Sequence, residues 1–351
     1  MPTSASPSPP AADSHPGRQR RRLPAPRTAL TRRRALHSLL LPALAAGGLP
    51  ACAPVPGPPL RIGAHPWLGY ELLFLARDRQ HLPAGQVRLI ELPTASASLR
   101  ALSAGTLEGA GLTLDEVLSA RARGLPLHVV AVIDVSNGAD VLLGGRAVGS
   151  LAALKGRRIG VEQSATGALM LDAALTRAGL GVADVQLVPL AFNEQAQAFQ
   201  GGRVDALVSF EPVRSLLLAQ GARVLFSSAD VPGLIVDVLA VRADALPTHA
   251  AALAGLVAGL FRAQAEWRRD PAAAASLLAP RLRLPPADVV QALTLIDLPD
   301  LAANQRWLSG EPPALQANAA RLAALMQRAA LLPPGSGTAN RLADPQFLPP
   351  G

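Results

Sequence analysis

The sequence has one cysteine, one lysine and one tyrosine, and only 3% of its residues are aromatic. Cys52 alone allows no disulfide framework, no CxxC pair and no thiolate metal site. His65 has no second histidine, cysteine or paired acid at metal-ligand spacing, so neither a metal nor a cofactor is expected. No Ser-His-Asp grouping stands out, and "GGRAVGS" (144–150) does not complete a phosphate-binding GxxxxGK[ST] loop. These absences argue against an enzyme. Beyond the N-terminal segment no apolar run has the length or purity of a membrane span, and no internal repeat is visible.

The excess of positive charge, a formal +8, is local. Eight arginines from Arg18 to Arg34 face one acid, Asp13, which leaves 25 basic and 24 acidic residues elsewhere. The body of the chain therefore offers no basic surface for nucleic acid. Arginines followed by a short apolar run, Leu36 to Leu49, form the pattern of a secretory signal peptide, assigned to 1–52. Pro42, Gly47 and Gly48 interrupt that run and make it a poor permanent membrane helix. Thr31-Arg32-Arg33-Arg34-Ala35-Leu36 resembles a twin-arginine export motif with Ala35 in place of the usual aromatic, which leaves the route open. Leu49-Pro50-Ala51-Cys52 resembles a bacterial lipobox. Cys52 is thus either a lipidation site or a chance cysteine beside an ordinary cleavage point. The Pro-rich 53–59 reads as an extended tether. Together these place the domain outside the cytoplasm, in the periplasm or on the outer face of a membrane that it touches only through a lipid anchor.

From Leu60, short β-type runs alternate with helical patterns, as in sheets of parallel type covered by helices. Strands are expected at 60–64, 86–92, 127–133, 140–144, 157–161, 185–190, 204–210, 223–227 and 235–241, with helices between them at 69–80, 96–104, 114–123, 165–178, 193–200 and 212–220. After Asp244 the Ala- and Leu-rich segments to 331 read as helices. The Pro- and Gly-rich tail, 332–351, has little to bury. The succession from Arg157 to Ser227 is able to close as a lobe of its own, inserted into one built from both chain ends. Lobe 1 is assigned to 60–143 and 239–331 and lobe 2 to 144–238, with a hinge at crossings near 142–148 and 228–238. Ligands of such open α/β sheets bind beyond the carboxyl ends of strands, here in the cleft between the lobes.

"WLGYELLFLARDR", "LSAGTLEGAGLTLDEVLSARARGLPLHVVAVIDVSNGADVLL", "LKGRRIGVEQSATGALML" and "AFQGGRVDALVSFEPVRSLLLAQGARVLFSS" stand in this order. The set resembles the periplasmic solute-binding proteins of ABC transporters in the nitrate, sulfonate and taurine group, which includes relatives that take thiamine-pyrimidine precursors. The resemblance runs from about Leu60 to Asp244 and more loosely beyond. It implies a two-lobed periplasmic binding protein fold of type 2, with a small solute in the interlobe cleft and delivery to a membrane permease and its ATPase. It also implies a monomer.

Several residues have a chemical case for the cleft. Trp67 and Tyr70 follow the first strand, where Trp67 either stacks on a flat solute or packs between strand and helix. Ser164 is a natural helix cap; the amides at Thr166 and Gly167 beside it make either an ordinary helix start or a cradle for an anionic group. Asn137 and Asp140 lie between two strands, and Glu211 ends another. Asp237 sits inside an apolar run and must find a partner, in the hinge or in the cleft. Acids outnumber cations in these motifs, which favours a zwitterion or a hydrogen-bond-donating ring, such as an aminosulfonate or an aminopyrimidine, over a bare anion. Two further readings use the same fold: an enzyme outside transport, which the lack of a cysteine- and histidine-rich motif disfavours, and a sensory binding domain.

Overall fold

The computed structural model describes residues 57–350. The leader, Cys52 and the first part of the tether lie outside the described residues. The described residues belong to a single unit with two sheets.

The first sheet contains β1 (Leu60–Ala64), β2 (Val87–Glu91), β3 (Gly109–Thr113), β4 (Leu127–Ser136), β10 (Val236–Arg242) and β11 (Ile296–Asp297), in the order β11-β4-β10-β3-β1-β2. The second holds β5 (Val141–Gly144), β6 (Arg158–Val161), β7 (Gln186–Pro189), β8 (Ala206–Ser209) and β9 (Arg223–Ser227), in the order β7-β6-β8-β5-β9. Strands joined through helices pair in parallel, as expected: β1 with β2 and β3, and β6 with β7 and β8. The strands that carry the chain across run the other way. β5 is antiparallel to β8 and β9, and β10 to β3 and β4. Each enters its sheet directly from the other lobe, without the helical crossover that a parallel connection needs.

Alternation of side chains gives each sheet two apolar faces. Along β10, Val236, Val238 and Ala240 join one core with Leu112, Val117 and Leu322, while Leu239 and Val241 join the opposite one with Leu60, Ile62 and Leu256. In β5, Leu142 faces Met170 and Phe226, and Val141 and Leu143 face Phe192 and Leu217. Helices cover these faces, and several begin at side-chain caps. The Thr94 hydroxyl accepts from the Ala97 amide at 3.1 Å, and Asp270 and Asp300 do the same for Ala273 and Ala303.

β3, a central strand, was not foreseen. Its sequence, GAGLT, has low β-propensity, and what selects it is close approach. A Cβ on Gly109 would stand 2.8 Å from the Ala240 carbonyl oxygen, and one on Gly111 would stand 2.8 Å from the Tyr70 ring. The tail also departs from expectation. Leu332, Leu342 and Phe347 are buried, and Leu342 and Asp344 bond to the backbone of Val129 on β4. Three spaced apolar anchors hold a segment whose composition alone suggests no packing.

The chain crosses between the sheets at 137–140 and 228–235, so the first crossing precedes β5 and the expected boundary at 143/144 falls inside that strand. The two crossings are bonded to each other. The Ser228 amide donates to the Asp140 carbonyl at 2.9 Å, and the Ser228 hydroxyl meets the Ser136 hydroxyl at 2.8 Å and the Gly138 amide at 2.7 Å.

Candidate functional site

Carboxyl ends of strands from both sheets converge on one gap. β1 delivers His65, Trp67 and Tyr70; β3 leads through Thr113 into the helix Leu114–Ala122 with Asp115 and Glu116 in its first turn. β6 is followed by Glu162, Ser164 and Thr166, and β8 by Phe210. The crossings add Asp140 and Ile235, and β10 adds Asp237 near its start.

A small pocket is lined by His65, Trp67, Ala95, Thr113 and Glu116 from one lobe, by Glu162, Ser164, Thr166 and Phe210 from the other, and by Asp140, Ile235 and Asp237 at and beside the crossings. Its volume is about 30 Å³. One water needs roughly 10–15 Å³, so the space suits about two waters and no organic solute. The lobes touch across it. Trp67 meets Phe210 edge-on, with centroids 5.7 Å apart at 72°, and Phe210 stacks on Phe192 at 4.4 Å. The Thr166 hydroxyl lies 2.9 Å from that of Thr113 and donates to Asp115 Oδ2 at 3.0 Å.

Beneath the pocket the polar groups form a tight set. The Trp67 indole N–H donates to Asp134 Oδ2 at 2.9 Å, and the Tyr70 hydroxyl donates to Asp237 Oδ1. Asp134 and Asp237 occupy facing positions on β4 and β10. Oδ1 of Asp134 and Oδ2 of Asp140 and of Asp237 are buried without a partner. Gly69 makes this wrapping possible, because a Cβ there would lie 1.7 Å from Asp134 Oδ2.

Burial dominates the electrostatics. It lifts the Asp140 carboxyl to about 7, with Ser136 opposing and Asp115 adding to the rise. Burial raises Asp237, with Asp134 and Asp140 adding to the rise and Tyr70 opposing it; burial raises Asp134 as well, against the hydrogen bond from Trp67 and with Asp140 adding. Glu116 is raised by burial and by Asp115, and Glu162 by burial. Burial also lowers His65 to about 4, so its imidazole is neutral near pH 7. Two like charges this close in a poorly solvated site cannot both ionise cheaply, and protons are retained.

The nine sequence-selected site residues divide. Trp67, Asp140, Ser164, Thr166 and Asp237 line the pocket, and Tyr70 lies behind it as support for Asp237. Gly167 is behind the wall and its amide donates to the Ser164 hydroxyl at 3.1 Å, an ordinary cap. Asn137 is exposed in the first crossing, its amide donating to the Leu295 carbonyl. Glu211 does not reach the pocket. Its carboxylate accepts from Arg214 at 3.0 Å and from the amide and hydroxyl of Ser215, because the following helix turns those donors back onto it. Sequence reasoning passed over Asp134, Asp115, Glu116, Glu162 and Phe210. Asp134 carried a usable signal, an acid within the apolar run "VVAVIDV", the same pattern that marked Asp237.

Two α/β lobes joined by paired crossings, with a pocket between their strand ends, define the periplasmic binding protein fold. The chain matches the NMT1-like family over residues 53–280 and belongs to it. It is 30% identical over 221 residues to a putative aliphatic sulfonates-binding protein of Escherichia coli (strain K12), covering 61% of this chain and 69% of that one. Among solved structures, the alkanesulfonate-binding protein of Xanthomonas axonopodis pv. citri, bound to MOPS, superposes with a TM-score of 0.66 at 24% identity, over 80% of this chain and 96% of that one. The periplasmic nitrate-binding protein of Synechocystis PCC 6803 gives 0.65 at 12% identity, over 80% and 84%. The expected family and fold are thus borne out.

Proposed function

We propose that this chain is the solute-binding component of an ABC importer, which captures a small organic solute between its lobes and delivers it to a membrane permease. The observation that carries this reading is the pocket itself. Its walls come from both lobes, two short crossings connect those lobes, and unpartnered carboxyl oxygens of Asp140 and Asp237 point to a ligand that donates hydrogen bonds. Family membership and the sulfonate-binding relative support the role. Because the pocket holds only about 30 Å³, the solute enters an open form and the lobes close on it, the rigid-body motion of such proteins. The signal-like pattern of the N-terminal sequence supports work outside the cytoplasm, and among the described residues no helix is long and apolar enough to cross a membrane.

The solute is read as an aminosulfonate or a pyrimidine-like donor ring. A thermal-shift screen of taurine, alkanesulfonates, nitrate and aminopyrimidines tests the assignment. A true solute at ~100 times its dissociation constant adds about 2.7 kcal/mol of stability. Recovery of that compound unchanged after release agrees with binding, whereas its conversion by the purified protein refutes the reading.

A further inference from the structure

Resting on the reading of this pocket as a solute site, and narrowing its two candidate solutes to the donor ring, we infer that the ligand is a small flat cation of the amidinium type, bearing at least two N–H donors, in place of the aminosulfonate. Asp140 and Asp237 are 5% and 2% exposed, both line the pocket, and each leaves Oδ2 without a partner. Asp140 is near enough to act electrostatically on Asp237, and the two together leave two acceptors for a ligand with more than one N–H group. Glu116 and Glu162 complete the charged lining, and no lysine or arginine belongs to it. Of the neighbouring guanidiniums, Arg281 is held by Glu71 and Glu91, Arg214 pairs with Glu211 through one Nη and leaves its Nε without a partner, and Arg123 lines the adjoining cavity that shares Glu116 and Ser164.

An anion finds little here. At the helix start after Ser164, the Gly167 amide is spent on Ser164 and the Thr166 hydroxyl on Asp115. The indole of Trp67 and the ring of Phe210, which meet across the pocket, supply flat faces for a planar cation once the lobes part.

The groups facing this cluster fix how binding responds to pH. Asp115 adjoins Glu116, Asp134 on β4 faces Asp237, and Asp297 on β11 acts on Asp134. From the loop after β1, Tyr70 donates to Asp237 and His65 is neutral. Carboxyls that hold protons while the cleft is empty release them to a cation. Cation affinity therefore rises with pH between about 6 and 8, by up to tenfold per unit for each proton released, and an anion would show the opposite slope.

Benzamidine and benzenesulfonate share a ring and differ in the charge of the head, so they separate the alternatives. Calorimetry and thermal shift at pH 6, 7 and 8, in buffers of different ionisation enthalpy, should show benzamidine binding with proton release and tightening as pH rises. Asp140→Asn and Asp237→Asn, measured separately, should each weaken it at least tenfold at pH 8 and flatten the pH slope. Benzenesulfonate binding that tightens as pH falls would overturn the cation assignment and leave the solute-binding reading intact. Binding of neither probe at millimolar concentration overturns the cation assignment, and if the wider solute screen is also silent the solute-binding reading falls with it. Unchanged benzamidine affinity in both folded variants overturns the placement on Asp140 and Asp237.

Discussion

Asp140→Asn should make the protein more stable at neutral pH and change it little in acid. The carboxyl is 5% exposed and has an unpartnered Oδ2, and burial raises it from 3.8 to about 7. In the unfolded chain an aspartate ionises near 3.9. The folded state therefore holds a proton that the unfolded state has lost, and stability falls as pH rises through this window. Below about pH 4 both states are protonated and the group is neutral in effect. Each pH unit above that removes about 1.36 kcal/mol until the folded carboxyl ionises. The whole loss is on the order of 4 kcal/mol, of which about 2.7 kcal/mol accrues between pH 5 and 7. Asparagine keeps the shape and has no proton to lose. Relief of repulsion on Asp134 and Asp237 acts in the same direction. The assay is Tm of parent and variant at pH 5, 6, 7 and 8. The gap in favour of the variant should widen by about 5–10 °C, taking ~2–4 °C per kcal/mol for a chain of this size. A gap that is constant across pH would refute the argument, since carboxyls elsewhere contribute equally to both proteins.

Gly111→Ala should cost about 1–3 kcal/mol in denaturant unfolding, because its Cβ would lie 2.8 Å from the Tyr70 ring in a central strand; an unchanged midpoint would mean that Tyr70 moves freely. Trp67→Phe retains the ring but strips Asp134 Oδ2 of its donor, and about 1–3 kcal/mol should be lost at pH 8, with a smaller loss at pH 5 where the carboxyl keeps its proton. Small-angle scattering should show a smaller radius of gyration when a confirmed solute saturates the protein, and superimposable curves would count against closure. Cys52→Ala should move the protein from the membrane to the soluble fraction if the lipobox-like motif is used, whereas equal partitioning and an unlipidated parent mass would exclude the anchor.

Most of the lobe architecture was legible because it rests on local rules. Alternating β-type runs and helical patterns, with the Ser164 cap, marked nine of the eleven strands or their neighbourhoods, all but β3 and the two-residue β11. Asp237 announced itself as an acid that apolar surroundings forbid to stand alone. β3 was hidden because glycine has no side chain to signal a strand, and its reason for being there, the Tyr70 ring and the Ala240 carbonyl, lies far away in sequence.

The sequence by itself determined the class of fold, the confinement of positive charge to the N-terminal segment and the acidic leaning of the site motifs, since composition and periodicity are properties of the chain alone. Only the tertiary structure decided which acids share the pocket. Residues 134, 140 and 237 meet because the pairing of β4 with β10 sets Asp134 opposite Asp237 and the first crossing lies beside them, whereas Glu211 is drawn off by Arg214 and Ser215 one helical turn away. Their raised pKa values follow from that meeting, because desolvation and repulsion arise between groups that the chain keeps apart until it folds.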